Sequence, residues 1–451
     1  MPEPLSHPSE RQFLSFSEFL AALLPALDRE GVCFCVLRNY EKFPAENIGS
    51  DIDFLIHPSD LARAIRALRS VAGIRITGYS ERSWVAHAFV EGVRQAPGIR
   101  ALQVDFLWLL SWKGQTYLPT EAILQAAPPR QTGNLKFLVP SPVHEAIVSL
   151  FASLLVGGWL KEKYFPKAQQ AFAKDRPGAI AALQTQFGLK QTARLVDAVI
   201  AGDRKKILGC VGPLRVSVTL RGLMRRPMRG SWAAVLYFAR EIAVRFSPRN
   251  VETVCILGLN GEDKTMLVES LAPLLQASAK EVEARILRPR FHGARKSWCK
   301  TRTDDFSGQS KNGYFSSMAK VLVWLFDDWL RQFIGKKNLT LRICGCSCQD
   351  LLIDPAECGY NGPVWFARLA SRFSPSPDLW ILLDPATRTE GLELSAQTVR
   401  QLEAYRSFVK ASKQHIILNA GKPAADLTED AYTAMSDMLA QRTNSKLRNR
   451  F

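Results

Sequence analysis

The sequence predicts an α+β head, an α-helical middle and an α/β tail, on three observations. Residues 15–135 alternate helical periodicity with short apolar strands. Residues 136–249 keep apolar residues at i, i+3 and i+4 throughout, and residues 250–442 return to strand–turn–helix. At 451 residues the chain has room for about two to four domains. Apolar residues make up 47% and charged ones 22%, a globular composition that excludes disorder as the main state.

In the head, Val32-Cys33-Phe34-Cys35-Val36-Leu37 and Ala101-Leu102-Gln103-Val104-Asp105-Phe106-Leu107 read as strands. In the tail, Val251–Leu257 and Leu379–Leu383 do, the latter introduced by Ser374-Pro375-Ser376-Pro377-Asp378. The longest apolar run, Ala146–Leu160, is 15 residues, short of the roughly 20 a spanning helix needs. The start, Met1-Pro2-Glu3-Pro4-Leu5, lacks the cationic and apolar regions of a signal peptide. Nine cysteines spread over the chain do not read as a disulfide framework. The expectation is a cytoplasmic protein, soluble or peripheral at the inner face of the membrane.

Fifty-nine basic residues against 42 acidic ones leave a formal charge of +17, which favours an anionic partner. Much of it lies between Arg204 and Asn250, where eleven basic residues face one acid, Glu241, for a net +10. One reading is a solvated helical face beside a linker. The other is a surface for anionic lipid headgroups or a phosphorylated substrate over residues 204–249, aided by Trp232, Tyr237 and Phe238. Nucleic acid is not the expected partner, since no groove-reading motif or stacking platform is present.

Gly49-Ser50-Asp51-Ile52-Asp53-Phe54-Leu55-Ile56 is the most informative string of the head. Strand alternation puts Asp51 and Asp53 on one face and Ile52, Phe54 and Ile56 on the other. Two carboxylates this close need a proton or a cation between them, and oxygen ligands suit Mg²⁺. Asp105 lies in a second strand. If the strands are neighbours, three carboxylates converge on one or two ions, which would align a nucleotide α-phosphate with an attacking hydroxyl. The alternative is that the aspartates only end strands.

Val36-Leu37-Arg38-Asn39-Tyr40, followed by Gly49-Ser50-Asp51-Ile52-Asp53, resembles the minimal nucleotidyltransferase fold of bacterial polysaccharide-cluster proteins. That resemblance implies catalytic and metal roles for Asp51, Asp53 and Asp105, and nucleotide contacts at Gly49 and Ser50. The superfamily carries small residues about ten positions before the aspartate pair, where this chain has Leu37-Arg38-Asn39. Arg38 either supplies a cation to the phosphates in their stead or is a surface charge.

In the tail, Gly258-Leu259-Asn260-Gly261-Glu262-Asp263-Lys264-Thr265 follows a strand and precedes a helical pattern. Its spacing is that of a P-loop, with Gly258, Gly261, Lys264 and Thr265 in place and Asp263 where the last glycine belongs. Asp263 puts a carboxylate where phosphate oxygens would approach. Val251 to Leu439 resembles thymidylate-kinase-like P-loop proteins through Leu287-Arg288-Pro289-Arg290, Asp350 to Pro355, Gly359 to Pro363 and Leu382-Leu383-Asp384. Against that family, Gly345 and Cys346 replace an Asp-Arg pair, and the lid after Asp384 keeps one arginine, Arg388. The resemblance therefore implies a degenerate kinase domain that binds nucleotide weakly or recognises substrate. Cys344, Cys346 and Cys348, alternating on a strand, are expected to be buried thiols rather than, with Cys358, a zinc site. The six histidines form no metal pattern, and His144, Lys161 and Lys163 read as packing and snorkelling residues.

Together these features lead to the expectation of Mg²⁺-dependent nucleotidyl transfer from a nucleoside triphosphate, ATP in the first instance. The resemblance adds a carbohydrate or lipid-linked sugar acceptor in surface polysaccharide biosynthesis. The alternatives are a P-loop kinase working through Lys264 and Thr265, and a non-catalytic scaffold at the membrane surface.

Overall fold

The apolar runs of the head pair into a mixed sheet, and those of the tail pair into a parallel one. The computed structural model describes residues 13–46, 51–96, 99–225, 227–245, 251–285, 314–333, 339–355, 358, 360–385 and 395–451. The chain divides into two units, Met1–Val244 with Thr443–Phe451, and Arg245–Arg442. The composition boundary at 135/136 falls inside the first unit, and that at 249/250 lies a few residues past the division.

The first unit opens with β1 (Leu14–Ser15), α1 (Phe16–Arg29), β2 (Phe34–Val36), β3 (Asp51–Ile56) and α2 (Leu61–Arg69). There follow β4 (Arg75–Glu81), β5 (Val85–Ala96), β6 (Ile99–Leu107), β7 (Leu110–Trp112), β8 (Gln115–Leu118) and α3 (Thr120–Ala126). Then come β9 (Pro129–Thr132), β10 (Leu135–Leu138), α4 (Pro142–Gly157), α5 (Phe165–Lys174) and α6 (Arg176–Phe187). The unit continues through α7 (Leu189–Ile200), α8 (Arg204–Arg225) and α9 (Pro227–Arg245).

Its sheet runs β1-β5-β6-β3-β2-β10-β9, with β4 beside β5. Helix α1 starts at a capping box, in which the Glu18 N–H donates to Ser15 Oγ and the Ser15 N–H to the Glu18 carboxylate. Its apolar residues at 16, 19, 20, 23, 24 and 27 make one stripe, which packs with Ile52, Phe54, Ile56, Val104 and Phe106 on one face of the sheet. The second core joins Cys35, Leu37, Leu55 and Leu107 to residues of α4 to α8, among them Phe151, Phe172, Phe187 and Leu214. The helical middle therefore shares a core with the head.

The second unit holds β11 (Val251–Gly258), α10 (Gly261–Leu275), β12 (Glu281–Arg285), α11 (Tyr314–Phe333), β13 (Thr340–Cys344) and α12 (Asp350–Ile353). It continues with α13 (Val364–Phe373), β14 (Leu379–Asp384), α14 (Ala396–Ala411), β15 (His415–Asn419) and α15 (Ala424–Arg450), whose residues from Thr443 onward count with the first unit. The five strands are parallel, in the order β12-β13-β11-β14-β15. Val254 and Ile256 face a core with α10 and α15, while Cys255 and Leu257 face one with α14. Burial on both faces is why these strands read as unbroken apolar runs. Strand β13 ends at Cys344, so the expected alternation of Cys344, Cys346 and Cys348 on one strand does not hold. Cys348 is buried beside α12 and α13, and Cys346 Sγ lies 4.0 Å from Cys358 Sγ.

Among the described residues, α8 is long and apolar enough to cross a membrane by length and composition. Ile207, Cys210, Val211, Leu214 and Val218 on one of its faces are committed to the second core of the first unit.

Candidate active site

Strand β3 lies parallel to β6, with Asp53 opposite Asp105 and Asp51 opposite Gln103. Residues in register on neighbouring parallel strands share a face, so Asp51, Asp53, Gln103 and Asp105 all project from the side away from Ile52 and Phe54. The three carboxylates each bring an oxygen within 4.8 Å of the others. An octahedral Mg²⁺ with ligands at about 2.1 Å places its trans oxygens roughly 4.2 Å apart, so this spread is near what one ion needs. Three hard oxygen donors are the chemistry Mg²⁺ prefers, and the residues present fit it. Among the described residues this is the group of three or more acidic, Cys or His side chains with metal-binding geometry.

Asp53 is 3% exposed. Burial pushes its carboxyl up from an ordinary 3.8 to about 6, with Arg38 pulling it down and the Asp51 and Asp105 charges raising it further. Arg38 donates through Nε to Asp53 Oδ2, and the paired carboxylate holds the guanidinium above its ordinary value despite burial. The backbone helps to position this arginine, since the Leu37 N–H donates to the Asp53 carbonyl at 3.0 Å and Asn39 turns the chain at φ +63°.

Two residues missed in the sequence complete the surroundings of Asp105. His87 on β5 pairs with it across the antiparallel ladder and places Nδ1 2.7 Å from Asp105 Oδ1. Gln103 Nε2 donates to the same oxygen at 2.7 Å. Gln103 was legible as the residue one pleat before Asp105. His87 was not, because nothing local says that β5 lies beside β6.

The other missed feature is cationic. The Tyr164 ring has Arg38 Cζ at 5.9 Å, Lys161 Nζ at 5.6 Å and Lys163 Nζ at 5.4 Å from its centroid. Lys161 and Lys163 therefore stand with Arg38 around one aromatic ring, instead of snorkelling alone as their place in the sequence suggests. Tyr164 also lines a small cleft with Glu145, Ala146, Ser149, Lys167 and Ala168. In that region Tyr40 Oη donates to Glu145 at 2.6 Å and Lys167 pairs with Glu145 and Glu41. Gly49 and Ser50 lie outside the described residues.

In the second unit the chain turns from β11 into α10 at the carboxyl end of the sheet, where strand order reverses around β11. The turn is two residues long, Leu259 and Asn260, and the helix begins at Gly261. Asn260 caps it, accepting the Glu262 N–H at 3.0 Å, and Glu262 and Asp263 fall in the first turn, where carboxylates favour a helix N-terminus. Amides that would cradle phosphates are drawn into the helix: the Lys264 N–H reaches the Asn260 carbonyl at 3.3 Å. Thr265 Oγ1 donates back to the Gly261 carbonyl at 2.8 Å, and Lys264 is buried. Of the tail strings, Leu287 to Arg290, Gly359 and Arg388 lie outside the described residues. Asp350 is buried and accepts from Tyr405 Oη at 2.6 Å, and Asp384 holds Arg406 through both oxygens at 2.7 and 2.8 Å.

A side chain at Gly258 would put its Cβ 3.1 Å from Leu383 Cβ and 3.4 Å from the Leu383 carbonyl oxygen on β14. This glycine serves strand packing. Gly258→Ala is expected to cost about 1–3 kcal/mol in a urea melt through overpacking. Mg²⁺–ATP binding by the same variant should be unchanged in calorimetry.

No protein-family model and no curated protein matches the chain. Among solved structures, FtsY from Mycoplasma mycoides aligns at 12% identity over 66% of this chain and 88% of its own, with a TM-score of 0.20. A likeness that low is no basis for a fold or a function.

Proposed function

We propose that the first unit is a nucleotidyltransferase-like enzyme that moves a nucleotidyl group from a nucleoside triphosphate to a hydroxyl acceptor. The observation that carries the reading is the in-register placement of Asp53 beside Asp105 with Asp51 one pleat away. Mg²⁺ held by these carboxylates would neutralise the phosphates and orient the α-phosphate toward the acceptor oxygen. Asp51 and Asp53 hold the cation. Asp105, oriented by His87 and Gln103, holds it too or accepts the acceptor's proton. Arg38, Lys161 and Lys163 supply the positive charge for the β- and γ-phosphates, in place of the small residues usual in this superfamily. The acceptor is a carbohydrate or lipid-linked sugar of a bacterial surface polysaccharide, a choice that rests on the resemblance of the Val36–Tyr40 and Gly49–Asp53 strings.

The second unit, on this reading, is a thymidylate-kinase-like domain that has lost phosphoryl transfer. Its support is the helix that begins at Gly261 and occupies the phosphate-cradling backbone. Calorimetry of ATP with Mg²⁺ separates the two sites. Wild type and Lys264→Ala should bind alike, while Asp51→Ala/Asp53→Ala should lose binding. Loss in Lys264→Ala alone would transfer the activity to the second unit and overturn the proposal.

A further inference from the structure

Helix α9 is inside out. Gly230, Ala233, Tyr237 and Glu241, at i, i+3, i+7 and i+11, form its inner face. A Cβ on Gly230 would stand 2.8 Å from the Gly222 carbonyl oxygen, and one on Gly114 would stand 2.6 Å from that of Ala233, so backbones meet there. Gln115 Nε2 donates to the Gly230 carbonyl at 2.8 Å, and Glu241 pairs with Arg82 at 3.4 Å. The apolar stripe lies on the opposite side. Met228, Trp232, Val235 and Ile242, at i, i+4, i+7 and i+14, are 86%, 62%, 55% and 57% exposed. Helix α8 adds Val216, Leu220 and Met224 at spacings of four, all exposed, on the turns leading to α9.

Charge decides what covers this surface. Arg225 and Arg229 are exposed at the junction of the two helices. Lys205 and Lys206 stand exposed at the start of α8, Lys206 paired with Asp203 at 3.0 Å. From Arg204 to Arg245 the one carboxylate is Glu241, which is turned inward to Arg82. A second copy would set this positive surface against itself. Nucleic acid would meet the cations but leave a Met, Val, Ile and Leu stripe with nothing apolar to bury against. A bilayer with anionic headgroups satisfies both components, taking the stripe to the acyl boundary and the cations to the phosphates.

We propose that the outward faces of α8 and α9 form a docking surface for an anionic phospholipid membrane. The helices lie in the interface plane, because the other face of α8 is committed to the core through Ile207, Leu214 and Val218. Trp232 sits at the headgroup level, where an amphipathic ring is favoured. The inference stands on the exposed stripe and its charge, and does not rest on the nucleotidyl-transfer reading.

Sedimentation of the full chain with vesicles tests it. Binding is expected to vesicles of phosphatidylcholine with phosphatidylglycerol, to weaken as salt rises, and to be absent with phosphatidylcholine alone. Lys205→Gln/Arg229→Gln should weaken binding about 30-fold, from roughly 1 kcal/mol per basic residue. Val235→Glu/Ile242→Glu should abolish it while leaving the melting temperature unchanged, since both residues point outward. Equal binding to neutral and anionic vesicles would overturn the proposal. So would retained binding in the glutamate variant, or a wild-type dimer that the same variant dissociates without any vesicle binding.

Discussion

Asp53→Asn is expected to stabilise the metal-free protein above pH 6 while removing its response to Mg²⁺. The native carboxyl titrates near 6 instead of 3.8 because it is buried beside Asp51 and Asp105, so its charged form costs the fold free energy. In the native state this group binds more protons than in the unfolded state between pH 3.8 and 6, so stability falls as pH rises through that window. Below about pH 4 the asparagine variant and wild type should melt alike. Above pH 6 the variant should be more stable by about 3 kcal/mol, the order of magnitude such a shift implies. Arg38 keeps an oxygen partner in the amide.

Addition of Mg²⁺ should then reverse the order. A cation at one thousand times its dissociation constant adds about 4.1 kcal/mol to the wild type, more than the variant's advantage. It should add little to a variant that has lost the central ligand. The same substitution should reduce pyrophosphate release from a nucleoside triphosphate by on the order of 10²–10³-fold or more, the scale seen when one preorganised electrostatic group is removed. Thermal melts over pH 4–8 with and without Mg²⁺ check the first part, and a pyrophosphate assay checks the second. An asparagine variant that still gains stability from Mg²⁺ would remove Asp53 from the site.

Phe54→Ala should cost the first unit about 3–5 kcal/mol. The ring is fully buried, stacks on Phe106 at 5.7 Å and meets Phe34 edge-on at 5.7 Å. These contacts lie on the side of β3 opposite the carboxylates and hold the strand flat against β6. Their loss should lower the melting temperature by roughly 10 °C. Phe54→Leu retains apolar volume and should lose much less. If Mg²⁺ stabilises Phe54→Leu as it does wild type, the cation site depends on the register of β3 and β6 and not on the aromatic ring.

Much of the first unit is legible locally. A strand's pleat has period two, so the string from Asp51 to Ile56 by itself separates carboxylates from apolar side chains. The start of α1 is equally plain, because Ser15 and Glu18 stand at capping-box spacing. In the tail, P-loop spacing and strand-before-helix context mark the turn after β11. The same string carries the signal for a helix that starts at Gly261: Asn260 is a strong cap, and Glu262 and Asp263 favour a helix N-terminus.

Sequence by itself therefore determined the class of each segment, the shared face of Asp51 and Asp53, and the excess of positive charge between Arg204 and Asn250. These follow from backbone periodicity and composition, which act over a few residues. Tertiary structure alone decided that β6 lies beside β3, that His87 reaches Asp105, and that Lys161 and Lys163 gather with Arg38 at Tyr164. It also decided that α9 turns its apolar stripe outward. An amphipathic pattern states that a helix has two faces. Only the packing, here Gly222 and Gly230 allowing close backbone approach, states which face is inside.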